Sequence, residues 1–244
     1  MKKMFLLACT LCLSVCAMAQ TAFYVYKTDG RRVKYAIADV DSILYTKVPT
    51  ENGHEWVDLG LPSGLKWATC NVGANSPTAY GNYFAWGETA PQDNYYYYWD
   101  TYKFTTDGGS TFTKYNGTDG KTTLDSEDDA AAANWGGKWR MPTDDEWTEL
   151  CKNCTWTWTA DYQGTGIAGR IVTGPNGNSI FLPAAGCRDY DGLGGAGSYG
   201  RYWSGSLFAV NSDYAWGVGF NSGNVSRNYF NCRYYGRSVR PVLF

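Results

Sequence analysis

The spacing of apolar and polar residues changes several times along the chain. Trp216, Val218 and Phe220 alternate with Gly217 and Gly219, a period of two that predicts a strand with one buried face. Asn221-Ser222-Gly223 follows as a hairpin turn, and Val225 opens the return strand. Val239 and Val242 read as a closing strand. Residues 155–158, 170–173 and 179–182 read as further strands, the last two joined by Gly174-Pro175-Asn176-Gly177-Asn178. Near the N-terminus, Phe23-Tyr24-Val25-Tyr26 and Val33-Lys34-Tyr35 flank Thr28-Asp29-Gly30, a hairpin signal, and Ile37, Val40 and Ile43 then recur at near-helical spacing. Two short strands are predicted around Pro62-Ser63-Gly64, and another at Tyr83-Phe84-Ala85-Trp86-Gly87.

Two segments carry helix signals. Residues 126–135 read as a short helix built on Ala130 to Ala133 and stopped by Gly136-Gly137. Thr143 and Glu146 form a capping box, with Asp144 and Asp145 in the first turn, where the helix dipole favours negative charge. Trp147 and Leu150 give that helix an apolar stripe ending near Asn153. This helical role explains the three carboxylates without invoking chemistry. Between these elements lie two long loops. One runs from the aromatic stretch Tyr95 to Trp99 as far as Lys121, and its tyrosines read as a cover for the core. The other is Gly-rich and runs from Pro183 to Gly197.

Residues 1–19 read as a secretory signal: Lys2 and Lys3, an apolar centre from Phe5 to Val15, and Ala17-Met18-Ala19 before the cleavage point. Residues 20–46 form a small β strap, 47–54 a linker containing Pro49 and Gly53, and 55–244 the main domain. Lipidation fits less well, because Val15 is the wrong residue before Cys16 and Cys9 comes too early. The expected destination is outside the cytoplasm: periplasm, cell surface or medium. No later run is long and apolar enough for a transmembrane segment.

The 244 residues suffice for one full core and a small appendage. The chain is 17% aromatic and 18% charged and has 29 Gly, a mix that favours loops and strands over helices. Loss of Lys2 and Lys3 takes the net charge from -2 to -4. That is a poor basis for nucleic acid, since no basic field is available to neutralise phosphates.

Catalytic signals are sparse. The single His, His54, falls in the linker, which argues against Ser/His/Asp, Cys/His and His-based zinc chemistry. Cys151-Lys152-Asn153-Cys154 has the spacing of half a metal or redox site, but no second such pair exists. Five cysteines follow the signal, Cys70, Cys151, Cys154, Cys187 and Cys232, an odd count that cannot pair completely within one chain. Asp189, Asp191 and Asp213 read as solvated rather than as calcium ligands. The expectation is no cofactor and no metal.

Residues 200–244 are crowded with Tyr, Asn, Ser, Gly and Phe and nearly lack acids. In such a mix Tyr and Trp give contact area at little entropic cost, and Ser, Gly and Asn give adaptable hydrogen bonds. The landmark runs are Val57-Asp58-Leu59-Gly60-Leu61-Pro62-Ser63-Gly64, Trp67-Ala68-Thr69-Cys70-Asn71-Val72-Gly73-Ala74, Tyr83-Phe84-Ala85-Trp86-Gly87-Glu88-Thr89, Trp139-Arg140-Met141-Pro142-Thr143 and Ser238-Val239-Arg240-Pro241-Val242. Together they resemble the Fibrobacter succinogenes major paralogous domain, a C-type-lectin-like family of secreted bacterial proteins. The resemblance implies an α+β fold with two helices and a twisted antiparallel sheet, and a β-hairpin strap before the domain. It also implies a Cys70–Cys154 disulfide; Cys187 and Cys232 are the next candidates for a pair. The Glu-Pro-Asn or Gln-Pro-Asp loop of calcium-dependent lectins is absent.

The segment also resembles the variable region of diversity-generating retroelement proteins, in which Asn-codon positions are randomised between fixed spacers. That resemblance places ligand contacts at Phe208, Asn211, Asp213, Tyr214, Gly217, Gly219, Ser226, Asn228, Tyr229, Phe230, Asn231, Tyr234 and Tyr235, with Val210 and Cys232 in the same set. The spacers are Trp203-Ser204, Trp216, Phe220-Asn221-Ser222 and residues 237–242. An ordinary family member with inherited Tyr/Asn richness is the alternative. The expected function is non-enzymatic recognition of an extracellular protein or glycan. Two other readings stand beside it. One is an oxidase of the formylglycine-generating type, similar around Arg140-Met141-Pro142-Thr143 and Glu146-Trp147 but without its copper-binding cysteine motif. The other is a structural surface protein without a specific ligand.

Overall fold

A computed structural model describes residues 22–26, 32–39, 48–190 and 192–244; the side chains of residues 22–26, 32, 39, 95 and 228 are outside the description. The signal segment, the Thr28-Asp29-Gly30 turn, Val40, Ile43 and Asp191 all fall outside the described residues. The chain divides into two units, Met1–Lys47 and Val48–Phe244. In the first, β1 (Ala22–Tyr26) pairs antiparallel with β2 (Arg32–Ala36), Phe23 opposite Tyr35, and a 3-10 turn follows at Ile37–Asp39.

The second unit is built from many short strands. β3 (Thr50–Glu51), β4 (His54–Asp58) and β5 (Lys66–Ala68) join the C-terminal β14 (Val242–Leu243) in a sheet of order β14-β5-β4-β3. Between β4 and β5, Gly64 takes a left-handed φ of +76° and its N–H returns to the Leu61 carbonyl, closing the predicted Pro-Ser-Gly turn. β6 (Thr155–Thr159), β7 (Gly169–Thr173) and β8 (Ser179–Pro183) form a meander, and β9 (Cys187–Asp189) pairs with β10 (Gly192–Gly194). β11 (Gly200–Leu207), β12 (Tyr214–Phe220) and β13 (Val225–Cys232) form a three-stranded antiparallel sheet. The predicted strand at residues 83–87 is reduced to a single bridge between Phe84 and Arg237.

The helices are short. α1 (Ala130–Trp135) starts four residues after the expected Ser126, at the alanine run itself. Asp129 is its N-cap and takes the N–H groups of Ala131 and Ala132 on one carboxylate oxygen; the other oxygen takes the N–H of Met141. α2 (Asp144–Asn153) carries the expected capping box: Thr143 Oγ1 accepts from Glu146 N–H, and the Glu146 carboxylate accepts from Thr143 N–H. Arg140 also pairs with Glu146.

The expected α+β, C-type-lectin-like fold is not what the chain forms. Strand far outweighs helix, and the described strands fall into five separate small sheets rather than one twisted sheet. The physical reason lies in what fills the interior. Aromatic side chains from irregular segments do so, among them Tyr97, Tyr102, Phe104, Phe112 and Tyr115, all buried in the long loop. Strands of two or three residues then suffice to close the edges. The buried side chains form two clusters. One gathers these loop aromatics with Phe84, Trp86, Trp135, Trp139, Trp203 and Ala215. The other joins Trp67, Trp147, Leu150, Leu182, Tyr202, Val218 and Phe220. Trp203 and Tyr202 are neighbours in β11 and belong to different clusters, so the β11–β13 sheet carries a core on each face.

Three fully buried arginines tie the C-terminal segment to the rest, and none has a carboxylate of the described residues within ion-pair distance. Arg233 donates to the carbonyls of Lys114, Tyr115 and Ser212 and to Tyr102 Oη, and lies over the rings of Phe112 and Trp86. Arg240 donates to Asn71 Oδ1 and to the carbonyls of Ala68 and Phe181, each at 2.9 Å. Arg237 is wedged between Trp203 and Tyr229, with its Cζ 4.1 Å and 4.8 Å from the two ring centres.

Two predictions follow from this packing. Arg240→Met keeps the volume but orphans two buried carbonyls and an amide oxygen, each costing about 1–3 kcal/mol, so denaturant unfolding is expected to show a loss of about 3 kcal/mol or more. Asp144 supplies the second. Burial, with the charge of Asp145 beside it, pushes its carboxyl from 3.8 up to about 6. Its folded value lies above its unfolded one, so stability falls as pH rises from about 3.8 to about 6 and stays lower beyond. Asp144→Asn is therefore expected to raise the melting temperature at pH 7, with the gain vanishing below pH 4.

Candidate functional site

The β11–β13 sheet displays its side chains on two faces. On one, Tyr214, Trp216, Val218 and Phe220 alternate along β12, and Trp216 pairs with Phe230 across to β13. Val218 and Phe220 are buried in the core that holds Trp147 and Leu150 of α2. Beyond them the face is half open. Phe208 stacks on Phe230 at 4.2 Å between ring centres, and Trp216 meets Phe208 edge-on at 4.8 Å and Phe230 at 5.6 Å. Tyr214 closes the group at 5.6 Å from Phe230. Phe230 is 42% exposed.

The loop between β11 and β12 holds this patch. Phe208 N–H donates to the Tyr214 carbonyl, Tyr214 N–H to that of Asn211, and Asp213 N–H to Asn211 Oδ1. Asn211 is thus both exposed and a brace for the turn. Val210 at the tip is 87% exposed.

The opposite face pairs Arg201 with Gly219 and Trp203 with Gly217, and the two glycines in turn face Ser226 and Tyr229. The glycines leave a trough. A Cβ on Gly217 would overlap the Tyr202 carbonyl oxygen, and one on Gly219 would press on the Tyr229 ring, 3.1 Å away. Gly217 and Gly219 are buried and leave no room for a side chain; Gly219 lines the cleft on this face and Gly217 does not. Tyr229 lies between Arg237 and an open cleft lined by Tyr199, Gly200, Arg201, Phe220, Asn221, Asn224 and Ser226.

The thirteen expected contact residues thus do not form one surface. Phe208, Tyr214 and Phe230, beside Asn211 and Asp213, belong to the aromatic patch; Ser226 and Tyr229 belong to the cleft on the other face. Asn231 is half-buried opposite Ala215, and Asn228 lies on β13 with its side chain outside the description. Tyr234 is 9% exposed, stacked on Tyr235 and set against Trp99, so it belongs to the interior. Sequence reasoning treated Trp216 as a spacer and passed over Tyr199 and Arg201. The cross-strand glycine opposite Arg201 was the available signal, since it leaves room beside a large side chain.

The cysteines and His54 have local partners of other kinds. Cys70, Cys151, Cys154, Cys187 and Cys232 are free thiols in this structure. Cys70 and Cys154 line different clefts, so the expected bridge between them is not formed, nor is one between Cys187 and Cys232. Burial pushes the Cys151 thiol up to about 12 and that of Cys154 up to about 11. The His54 ring stacks on Trp135 at 3.8 Å, and burial lowers its pKa. Asp125, Glu127 and Asp128 are the one acidic group with metal-like spacing among the described residues, but the Lys114 ammonium sits at 2.5–2.9 Å from all three.

These features define a small-sheet β domain whose C-terminal strands present aromatic side chains on one face and cationic ones on the other. The chain belongs to the Lcl C-terminal domain family, which matches residues 60–240, a range that includes both faces. Membership fits a surface or secreted domain. No curated protein and no solved structure matches the chain. Among the described residues no helix is long and apolar enough to cross a membrane.

Gly217→Ala is expected to destabilise the fold by about 1–3 kcal/mol, the usual cost of overpacking. Gly223→Ala meets nothing closer than 3.7 Å and is expected to unfold at nearly the same denaturant concentration as the parent.

Proposed function

We propose that this protein is an exported, non-enzymatic recognition domain that binds a protein or glycan outside the cytoplasm through its C-terminal strands. One observation carries the reading: Phe208, Tyr214, Trp216 and Phe230 form a stacked, half-exposed cluster that the fold supports but does not cover. Rigid aromatic rings at a partly open site are the side chains that most often anchor an interface. The raised thiol pKa values of Cys151 and Cys154 favour this reading over thiol or copper chemistry, which needs accessible thiolates. The resemblance to secreted Fibrobacter succinogenes domains supports export. If the segment is diversified by a retroelement, the positions with room for change are those of the β11–β12 loop and the Phe230 neighbourhood; Gly217 has none.

The test is a glycan and protein array probed with purified protein, repeated with Phe208, Tyr214 and Phe230 all replaced by Ala. Loss of an anchor cluster typically costs about 2 kcal/mol or more, so partners retained by the parent are expected to bind the variant at least about thirtyfold more weakly. Unchanged affinity for every partner overturns the proposal.

A further inference from the structure

Arg201 lies at the floor of the cleft on the sheet face opposite the aromatic patch. One of its N–H groups donates to Cys187 Sγ at 3.0 Å, and its guanidinium lies 5.5 Å from the Tyr199 ring centre and 6.0 Å from that of Tyr229. It has no carboxylate partner among the described residues, in contrast to Lys66, Lys103, Lys114, Lys121 and Arg140. Behind Tyr229 lies a second cation. Arg237 is fully buried, and its Nε and Nη1 have no hydrogen-bond partner. Its Nη2 donates to Tyr229 Oη at 3.5 Å, which leaves the phenolic hydrogen free to donate outward. Two guanidiniums around one tyrosine, with no acid at ion-pair distance among the described residues, make the cleft a site of positive potential.

The rest of the lining is neutral and shaped for a ring. Tyr199, 44% exposed, and Tyr229 provide aromatic surface. Asn221, Asn224 and Ser226 provide amide and hydroxyl groups along the rim. Asn221 is fixed in place: its Oδ1 takes the N–H groups of Gly223 and Asn224, and Arg170 clamps its carbonyl. The cleft encloses about 170 Å³, below the roughly 300–1,000 Å³ of sites for drug-sized ligands, so it suits a single sugar ring and nothing larger.

We infer that this cleft binds a carboxylated sugar, such as a uronic acid residue of a glycan, with its carboxylate on Arg201 and Tyr229 Oη. The apolar face of the pyranose ring lies against Tyr199 and Tyr229, and its hydroxyls meet Asn221, Asn224 and Ser226. A flexible acidic peptide would use the charge but gain less from the ring walls. The inference rests on the recognition reading for its ligand class, yet uses the face that the aromatic patch does not.

The experiment titrates purified protein with methyl glucuronide, with methyl glucoside as its neutral twin and N-acetylglutamate amide as an acidic probe without a ring, by calorimetry. Glucuronide is expected to bind roughly tenfold or more tightly than either of the others, because a hydrogen bond to a charged group contributes about 1.5–3 kcal/mol. Arg201→Gln is expected to reduce glucuronide to the level of glucoside while the melting temperature holds. Asn224→Trp, which fills the cleft and leaves Arg201 in place, is expected to abolish binding of both sugars. Absence of saturable glucuronide binding, equal binding of glucoside, unchanged affinity in a folded Arg201→Gln variant, or tighter binding of the glutamate amide overturns the inference. The triple Ala variant of the aromatic patch is expected to keep its glucuronide affinity. If glucuronide fails while array partners still depend on the aromatic patch, the cleft assignment alone falls. If the sugar binds while every array partner ignores the patch, the patch reading falls instead.

Discussion

The structure depends on burying three positive charges with no carboxylate of the described residues at ion-pair distance. Arg233, Arg237 and Arg240 lie within eight residues of one another near the end of the chain, and each is fully enclosed. An unpaired buried cation is strongly disfavoured unless its N–H groups are met. Here backbone carbonyls and aromatic faces meet them: Arg233 reads the carbonyls of the long loop, and Arg240 reads those of Ala68 and Phe181. Most of those carbonyls belong to irregular segments or strand ends, and Phe181 lies in the edge strand β8. The arginines therefore do for the loops what a larger sheet would do for strands. That is why a chain with such short strands can still enclose two cores.

The same constraint shapes the β11–β13 sheet. Arg237 sits between Trp203 and Tyr229, and position 217 beside it is a glycine because a Cβ there would overlap the Tyr202 carbonyl oxygen. Gly219 lets the Tyr229 ring settle over the strand. The glycines that alternate with Trp216, Val218 and Phe220 are thus the floor of a cation-filled trough. On the reverse face the alternation delivers apolar side chains to the α2 core and, past its edge, to the exposed patch around Phe230.

Much of the local structure was legible in the residues. The capping box at Thr143 and Glu146, the β7–β8 hairpin across Pro175 to Gly177, and the β12–β13 turn at Asn221 to Gly223 all formed where turn and cap chemistry put them. These signals are short-range, and their partners lie within a few positions. The architecture was not legible in the same way. Tyr102 and Tyr115 are core residues in a segment with no period at all, and the partner that they meet there is Arg233, more than a hundred positions away. The site was half legible. Tyr214 and Phe230 were identified, but Tyr229 was grouped with them although strand alternation next to Phe230 turns it to the other face. Arg201 escaped notice because its neighbours in sequence are unremarkable and its neighbours in space come from β12 and β13.

A division of labour follows. Residues that hold the sheet, Trp203, Gly217, Arg237 and Arg240, are enclosed, and their partners are backbone atoms or rings that are themselves buried. Residues that meet solvent, Val210, Phe230, Asn224 and Tyr199, contribute few bonds to that framework. Changes at the second group leave those contacts in place, whereas loss of Trp203 or Arg240 leaves carbonyls without donors in the interior. A recognition surface built this way can vary in side-chain chemistry while the backbone beneath it stays in one register. The exception is Tyr229, which lines the cleft and also shields Arg237. At that one position the demands of binding and of folding cannot be separated.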